Sequence, residues 1–390
     1  TDGALASIKN TGTITIGNNS QGLYLKNGDT IDNGGSILSS GISTVGIFAD
    51  NVTSPVINTG IIDLSGDKSV GIYKTGAVNS ISNNNIIKIG DSSDLNDPGI
   101  GIYSNTAGDI ITNSGTIDTG KNSIGIYAEG AAVNQNNILS VGATGTGIYT
   151  KGGTVTLGAG SNITVGSNES VGVYGTNGTH ITNNSTNAVN INNGGYGFIL
   201  ETGSLLDNHG ILSLNGKGTG VYSDGLNTVN NYTGADINMS GDNNIGIYMV
   251  SGGIVNNDAD INGAAGKSNI GIYNKNGTIN NAGTINVGAS VLEYKSDGTV
   301  DYDNSGYAVG IYGDGSYINN TGNISVGENG IGLYTRNNPA AVVNKGNITG
   351  TGKGAVGLFV DNGVVEKKKK KTSVMLLVYL KSVVNNLYSS

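Results

Sequence analysis

KNSIGIYAEG, Lys121 to Gly130, sets Ile124, Ile126 and Tyr127 around Gly125, with no catalytic-looking side chain at its centre. Alone it is one short strand, since β-branched and aromatic residues suit a pleated, half-buried surface. Nearly the same word returns as VGIY at Val70, IGIY at Ile100, Ile245 and Ile270, and VGIY at Val309. Aligned on its glycine, it occurs fourteen times between Gly22 and Gly357, and eleven of the thirteen spacings are 22 to 26 residues. The residue after the glycine is apolar in every copy. The next is aromatic in thirteen of fourteen, Ile199 being the exception. A word that recurs this regularly is the architecture itself, one unit burying its apolar face on the next.

A second half-word lies between successive copies: NTGTITIG at Asn10, NSGTIDTG at Asn113, NAGTINVG at Asn281 and NTGNISVG at Asn320. Its apolar residues alternate with polar ones, the strand period. Each copy therefore holds at least two short strands separated by Asn/Gly turns. Strands this short at a period of about 25 residues fit one coil of a parallel β-helix, whereas the L-x-x-L-x-L ladder of a leucine-rich repeat is missing. The expected fold is all-β, a right-handed parallel β-helix (solenoid) of about 14 coils of about 25 residues. At about 4.8 Å per coil the rod is on the order of 65 Å long.

Strict alternation along IGIY predicts Ile124 and Ile126 inside and Gly125 and Tyr127 outside. That gives a tyrosine ladder down one flank: Tyr24, Tyr73, Tyr103, Tyr127, Tyr149, Tyr174, Tyr222, Tyr248, Tyr273, Tyr312 and Tyr334. Asn58, Asn113, Asn208, Asn281, Asn320 and Asn344 form a second column. They are expected at a turn, where asparagine tolerates a left-handed backbone and its amide can bond to the next copy.

Composition agrees. Glycine is 67 of 390 residues, there are three prolines and no cysteine, and charged residues are 12% against about 25% in average proteins. Lack of cysteine excludes a disulfide scaffold and thiolate metal sites. A net charge of −8 with a single arginine, Arg336, argues against nucleic acid as a partner. No apolar run approaches the roughly 20 residues of a membrane-spanning helix.

The period breaks in three places. Gly71 to Gly101 carries GDSSDLNDPG (Gly90 to Gly99), with Asp91, Asp94 and Asp97. Gly271 to Gly310 carries ASVLEYKSDGTVDYDNSGYA (Ala289 to Ala308). Insertions in a solenoid emerge as surface loops and are common binding sites. The second is the candidate binding loop, with Glu293, Asp297, Asp301 and Asp303 beside Tyr294, Tyr302 and Tyr307 to stack a sugar or hold a cation. DYDNSG at Asp301 resembles the start of a calcium loop, but its twelfth position is Tyr312 where a bidentate glutamate belongs, so no metal is expected. Third, the repeat stops at Glu366. Residues 367–390 form a tail of five lysines and a short apolar run, read as a frame-shifted or disordered end.

Catalytic constellations are sparse. Lyases of this shape need a strong base among carboxylates, and glycoside hydrolases need paired acids. Arg336 is expected to have only Glu328 and Asp361 among neighbouring acids. Asp63 and Asp118 lie in non-adjacent copies. His180 and His209 lie about one coil apart, without a third ligand. GDGS (Gly313 to Ser316) is what any glycine-rich turn supplies. No catalytic residue and no cofactor is expected.

The combined words [VI]-G-[IVL]-[YF] and N-x-G-x-I-x-[VI]-G, from Ile8 to about Val365, resemble the passenger domains of large Gram-negative autotransporters, particularly the long fusobacterial adhesins. The resemblance implies a cell-surface rod that binds a host-cell or bacterial surface protein or glycan. It also implies attachment to the outer membrane through a C-terminal β-barrel that is not in this chain, so residues 1–366 are expected to be part of a longer passenger. A passive stalk and a polysaccharide-active β-helix enzyme are the alternatives.

Overall fold

The computed structural model describes residues 6–362. The expected array end at Glu366 and the tail at 367–390 lie outside them. The described chain is a parallel β-helix of about 14 coils. Three fourteen-stranded parallel sheets run its length, and each strand pairs with its equivalents in the coils before and after. One coil comprises Ile110–Asn113, Thr116–Thr119 and Ile124–Glu129. These belong to what we term the asparagine sheet, the middle sheet and the tyrosine sheet. The half-word of the sequence thus straddles a corner: Asn113 ends one strand and Thr116 opens the next. The third strand of each coil was the element beyond the two read from sequence.

The core is a stack of aliphatic layers, with one or two buried side chains per sheet in each coil, such as Ile87 and Ile89 on one middle strand. Ile111, Ile117 and Ile126 are fully buried in one such layer. Burial of each such side chain contributes about 1.5–3 kcal/mol.

Alternation fails at the glycine of the GIY word. Ile126 is in the core as expected, but Ile124 is only half-buried while Gly125 is buried. Pairing skips the glycine: Ile124 registers with Ile100 and Thr146, and Ile126 with Ile102 and Ile148. A Cβ on Gly125 would point inward, 2.5 Å from the carbonyl oxygen of Gly147 and 2.7 Å from Leu139 Cδ1. The glycine is therefore inside, at a point where successive coils approach too closely for a side chain. Ile124 shares the outer flank with Tyr127. The sequence expectation for both residues is corrected by this local break in the pleat. The glycine of the half-word has the same steric origin, since a Cβ on Gly60 would lie 1.9 Å from the carbonyl oxygen of Gly35.

The asparagine column is strand-borne and buried from Asn10 to Asn320, with Asn344 exposed at its end. Asn10, Asn33, Asn58, Asn83 and Asn113 each donate from Nδ2 to the side-chain oxygen of the next member at 2.8–3.0 Å, ending on Gln135 Oε1. Leu157 takes the register position after Gln135. The chain of bonds resumes at Asn183 and runs through Asn208, Asn231, Asn257, Asn281 and Asn320 to Asn344 at 2.7–2.8 Å. Amide bonding to the next copy is as expected, but the left-handed backbone is not in this column. It occurs at other asparagines, flanking the tyrosine strands, such as Asn51 (φ 53°) and Asn122 (φ 56°).

Two measurements check these columns. Gly125→Ala should cost about 1–3 kcal/mol in urea unfolding through overpacking, whereas Gly17→Ala, with nothing within 4 Å of its added Cβ, should be close to neutral. Asn257→Ala strands the Asn231 amide and the Asn281 carbonyl inside the corner. Each buried orphan costs about 1–3 kcal/mol, while the outward-facing Asn256→Ala should cost much less.

Candidate interaction surface

The second insertion is an antiparallel hairpin, Val291–Tyr294 with Val300–Gly306. It leaves the rod between the middle and tyrosine strands, the corner from which Gly90 to Gly99 also emerges. Its turn closes through Lys295 N–H donating to Thr299 O and Gly298 N–H to Lys295 O. Its foot is tied to the next coil. Ser290 N–H donates to Glu328 O, and Ser290 Oγ donates to Asn329 O and accepts from Ala308 N–H.

The predicted site residues divide by this geometry. Tyr294 is 62% exposed. Glu293 and Asp301 face each other across the hairpin, like charges in register. Asp303 is exposed on the same strand. Asp301 accepts from Asp303 N–H and Asn304 Nδ2, and these bonds hold its carboxyl below the usual range. Asp297 caps its turn by accepting from Thr299 N–H and Oγ1, with the same effect. Tyr302 lies in the second strand between Asp301 and Asp303. Tyr307 is not on the exposed hairpin at all. It packs at the foot against Ile270, Tyr273, Val309, Tyr312 and Tyr334. Those three ladder tyrosines are 3–6% exposed, against 39% for Tyr24 at the other end. Among the described residues, no group of three or more His, Asp or Glu side chains is placed to hold a metal ion.

The first insertion is held down by its neighbours. Asp67 accepts from Ser92 Oγ, Ser93 N–H and Ser93 Oγ, Lys68 pairs with Asp97 at 3.0 Å, and Asp91 accepts from Lys121 N–H. The Ser93 bonds hold the Asp67 carboxyl below its ordinary value. Asp94 caps the loop by accepting from Asn96 N–H.

The ladder itself has two geometries. From Tyr24 through Phe48, Tyr73, Tyr103 and Tyr127 to Tyr149, rings stack nearly parallel with centroids 4.7–5.1 Å or 5.2 Å apart. Beyond Ile199 most pairs turn tilted or edge-on, as in Tyr273–Tyr312 at 85° and Tyr312–Tyr334 at 87°, until Tyr334 and Phe359 stack again at 17°. Both arrangements suit the ring quadrupole. Carboxylates line the flank. Tyr127 Oη donates to Glu129 at 2.6 Å, and burial followed by this bond pushes its phenol up. Tyr174 is raised by burial and by its bond to Glu201. Tyr334 is pushed up to about 12 by burial and the charge of Asp361.

Several pairs were missed in the sequence because the partners lie one coil apart. Arg336 Nη2 binds Asp314 at 2.7 Å, and the pair continues in register to Asp361. Asp361 is a neighbour as expected, but Asp314, one coil back, corrects the expectation that Glu328 and Asp361 are the only neighbouring acids. His180 and His209 do not meet. His180 Nε2 lies 2.7 Å from Asp207 Oδ2, and His209 stacks on Tyr232 at 4.3 Å. Asp63 and Asp118 are separated by Lys88, which registers with both. Writing the chain in rows one coil long is the signal that finds all of these.

Residues 262–366 match the family model described as the BigA third pectate lyase-like domain. That stretch contains the hairpin, and its fold name agrees with the observed solenoid. No curated protein and no solved structure matches the chain.

Raised phenols set the alkaline limit of stability. Unfolded tyrosines titrate near pH 10 and Tyr103, Tyr127, Tyr149, Tyr174, Tyr222 and Tyr334 of the ladder above that, so their stabilisation is complete below about pH 10 and falls as pH rises towards the folded values. Tyrosinate absorbance should therefore rise together with loss of the β-sheet circular dichroism signal. Full ionisation near pH 10 with the sheet signal intact would contradict this.

Proposed function

We propose that this chain is a passenger segment of a bacterial surface adhesin, a rod that presents its ligand-binding element on the lateral hairpin at Val291–Gly306. The observation that carries the reading is a contrast within one insertion. Its foot is fixed to the rod by Ser290 and Tyr307, while its outer part exposes Tyr294 beside Glu293, Asp301 and Asp303. An aromatic side chain on a fixed base is the arrangement that loses least entropy on engaging a partner. The resemblance to fusobacterial autotransporter passengers and the match to a pectate lyase-like domain of BigA support an extracellular setting. The partner is a protein or glycan on a host or bacterial surface. Transport across and attachment to the outer membrane belong to a β-barrel elsewhere in the full protein.

Binding rather than catalysis is the reading for the rod as well. The Arg336 guanidinium, a candidate for a strong base of the lyase type, is held by Asp314, which raises its pKa further and so opposes proton abstraction. Replacing Val291–Gly306 by a short Gly-Ser turn leaves the three sheets paired. Beads coated with this variant should bind epithelial cells, partner bacteria or arrayed glycans at least about tenfold more weakly than the intact rod, and Tyr294→Ala should reproduce much of the loss. Equal binding by rod and variant would assign the chain to a stalk or move the site elsewhere on it.

A further inference from the structure

Lys74 and Asp109 are both fully buried, and among the described residues no other lysine is. Lys74 follows Tyr73 on a tyrosine strand, on the inward column that holds Ala49 in the coil before, Ser104 in the coil after and Ala128 in the one beyond. Asp109 immediately precedes the asparagine strand Ile110–Asn113 one coil further on. Lys74 Nζ lies 2.5 Å from Asp109 Oδ1 and 2.7 Å from Oδ2, and it also donates to Ala77 O. Two further donors are aimed at the carboxyl. Asn79 N–H reaches Oδ1 at 2.8 Å, and Ser104 Oγ, stacked directly on Lys74 in the register, reaches Oδ2 at 2.5 Å.

The geometry points to an intramolecular amide (isopeptide) bond between Lys74 Nζ and Asp109 Cγ, a covalent staple between adjacent coils. A proton passes from the ammonium to Oδ2, leaving an amine beside a carboxylic acid. The Nζ lone pair then attacks Cγ. The developing oxyanion on Oδ1 faces the Asn79 N–H, as an oxyanion-hole donor would. A second proton from Nζ, relayed through the Ser104 hydroxyl, lets Oδ2 leave as water as the Cγ–Oδ2 bond breaks. Ammonium plus carboxylate gives secondary amide plus water, with no oxidant or co-reactant. Held contact replaces a bimolecular encounter, and exclusion of solvent removes the competing hydrolysis. Among the described residues no other coil combines the elements: Asp29 stands at a position equivalent to Asp109 but has no buried lysine beside it, and Ala131, Gly153 and Ser204 take that position in other coils.

Intact-mass measurement of the purified, denatured chain tests this directly. The expected mass is about 18 Da below the sequence value. Trypsin should not cleave after Lys74, and a joined peptide should carry Lys74 and Asp109 together. Asp109→Ala should restore the full mass and the cleavage, and Ser104→Ala should leave a larger unlinked fraction at early times after folding. A full-mass wild-type chain cleaved after Lys74 would overturn the proposal. So would an equal mass loss with Lys74 still cleavable, because that is dehydration of an aspartate to a succinimide.

Discussion

Every coil of this rod rests on a near-copy of itself, about one strand spacing away, and the remaining features follow from what a residue does when stacked on its equivalent. A primary amide is self-complementary: it donates from one end and accepts at the other, so asparagine can fill a buried column indefinitely with every member satisfied. Aromatic rings gain contact at either stacked or edge-on geometry. A charge has no such solution, because two like charges at about 4 Å repel by about 1 kcal/mol even in water. The columns accordingly alternate in sign, as in Lys275, Asp314, Arg336 and Asp361, or Asp63, Lys88 and Asp118. Glu201 on Asp224 breaks the rule, and there the Tyr174 hydroxyl donates to the glutamate.

The interruptions of these columns show how much the stack tolerates. At Leu157 the amide chain stops, and Gln135 turns its own amide to Asn137 O, so nothing is orphaned on that side. At Ile199 the ring column loses a member. Tyr196, from the column just before the glycine, meets Tyr222 at 5.9 Å and 80° instead. That substitution is possible only because the residue before the glycine lies on the outer flank, the point at which simple alternation misled.

What was legible in the sequence is what repeats in type as well as place. The GIY word gave the period, the coil number and the tyrosine ladder, and N-x-G gave the amide column. The glycine's inward turn was not legible, because the reason for it is the carbonyl oxygen of the next coil, about 25 residues away and invisible to a local pattern. The same holds for Lys74 with Asp109, Asp314 with Arg336 and His180 with Asp207. Each is a one-off pair between coils. At the hairpin, the sequence shows the acidic and aromatic residues within one insertion. Its division into an exposed outer part and a buried foot at Tyr307 depends on packing against coils on both sides.

The placement of the insertions explains how such a rod can vary its surface without losing its fold. Across the 39-residue interval, Ile270 still pairs with Val309, and Ile285 with Ile324, in the same parallel register as any other coil. The extra chain is closed on itself by antiparallel bonds and so asks nothing of the three sheets. Longer loops cost little in closure entropy, about 0.6 kcal/mol per doubling, provided both ends return to the same corner. The corner between the middle and tyrosine strands meets that condition twice in this chain, at Gly90–Gly99 and Ala289–Ala308. It is also the corner from which a hairpin can lean on the tyrosine flank. The exposed aromatic columns of the rod therefore serve as a ready base on which an inserted element can be fixed.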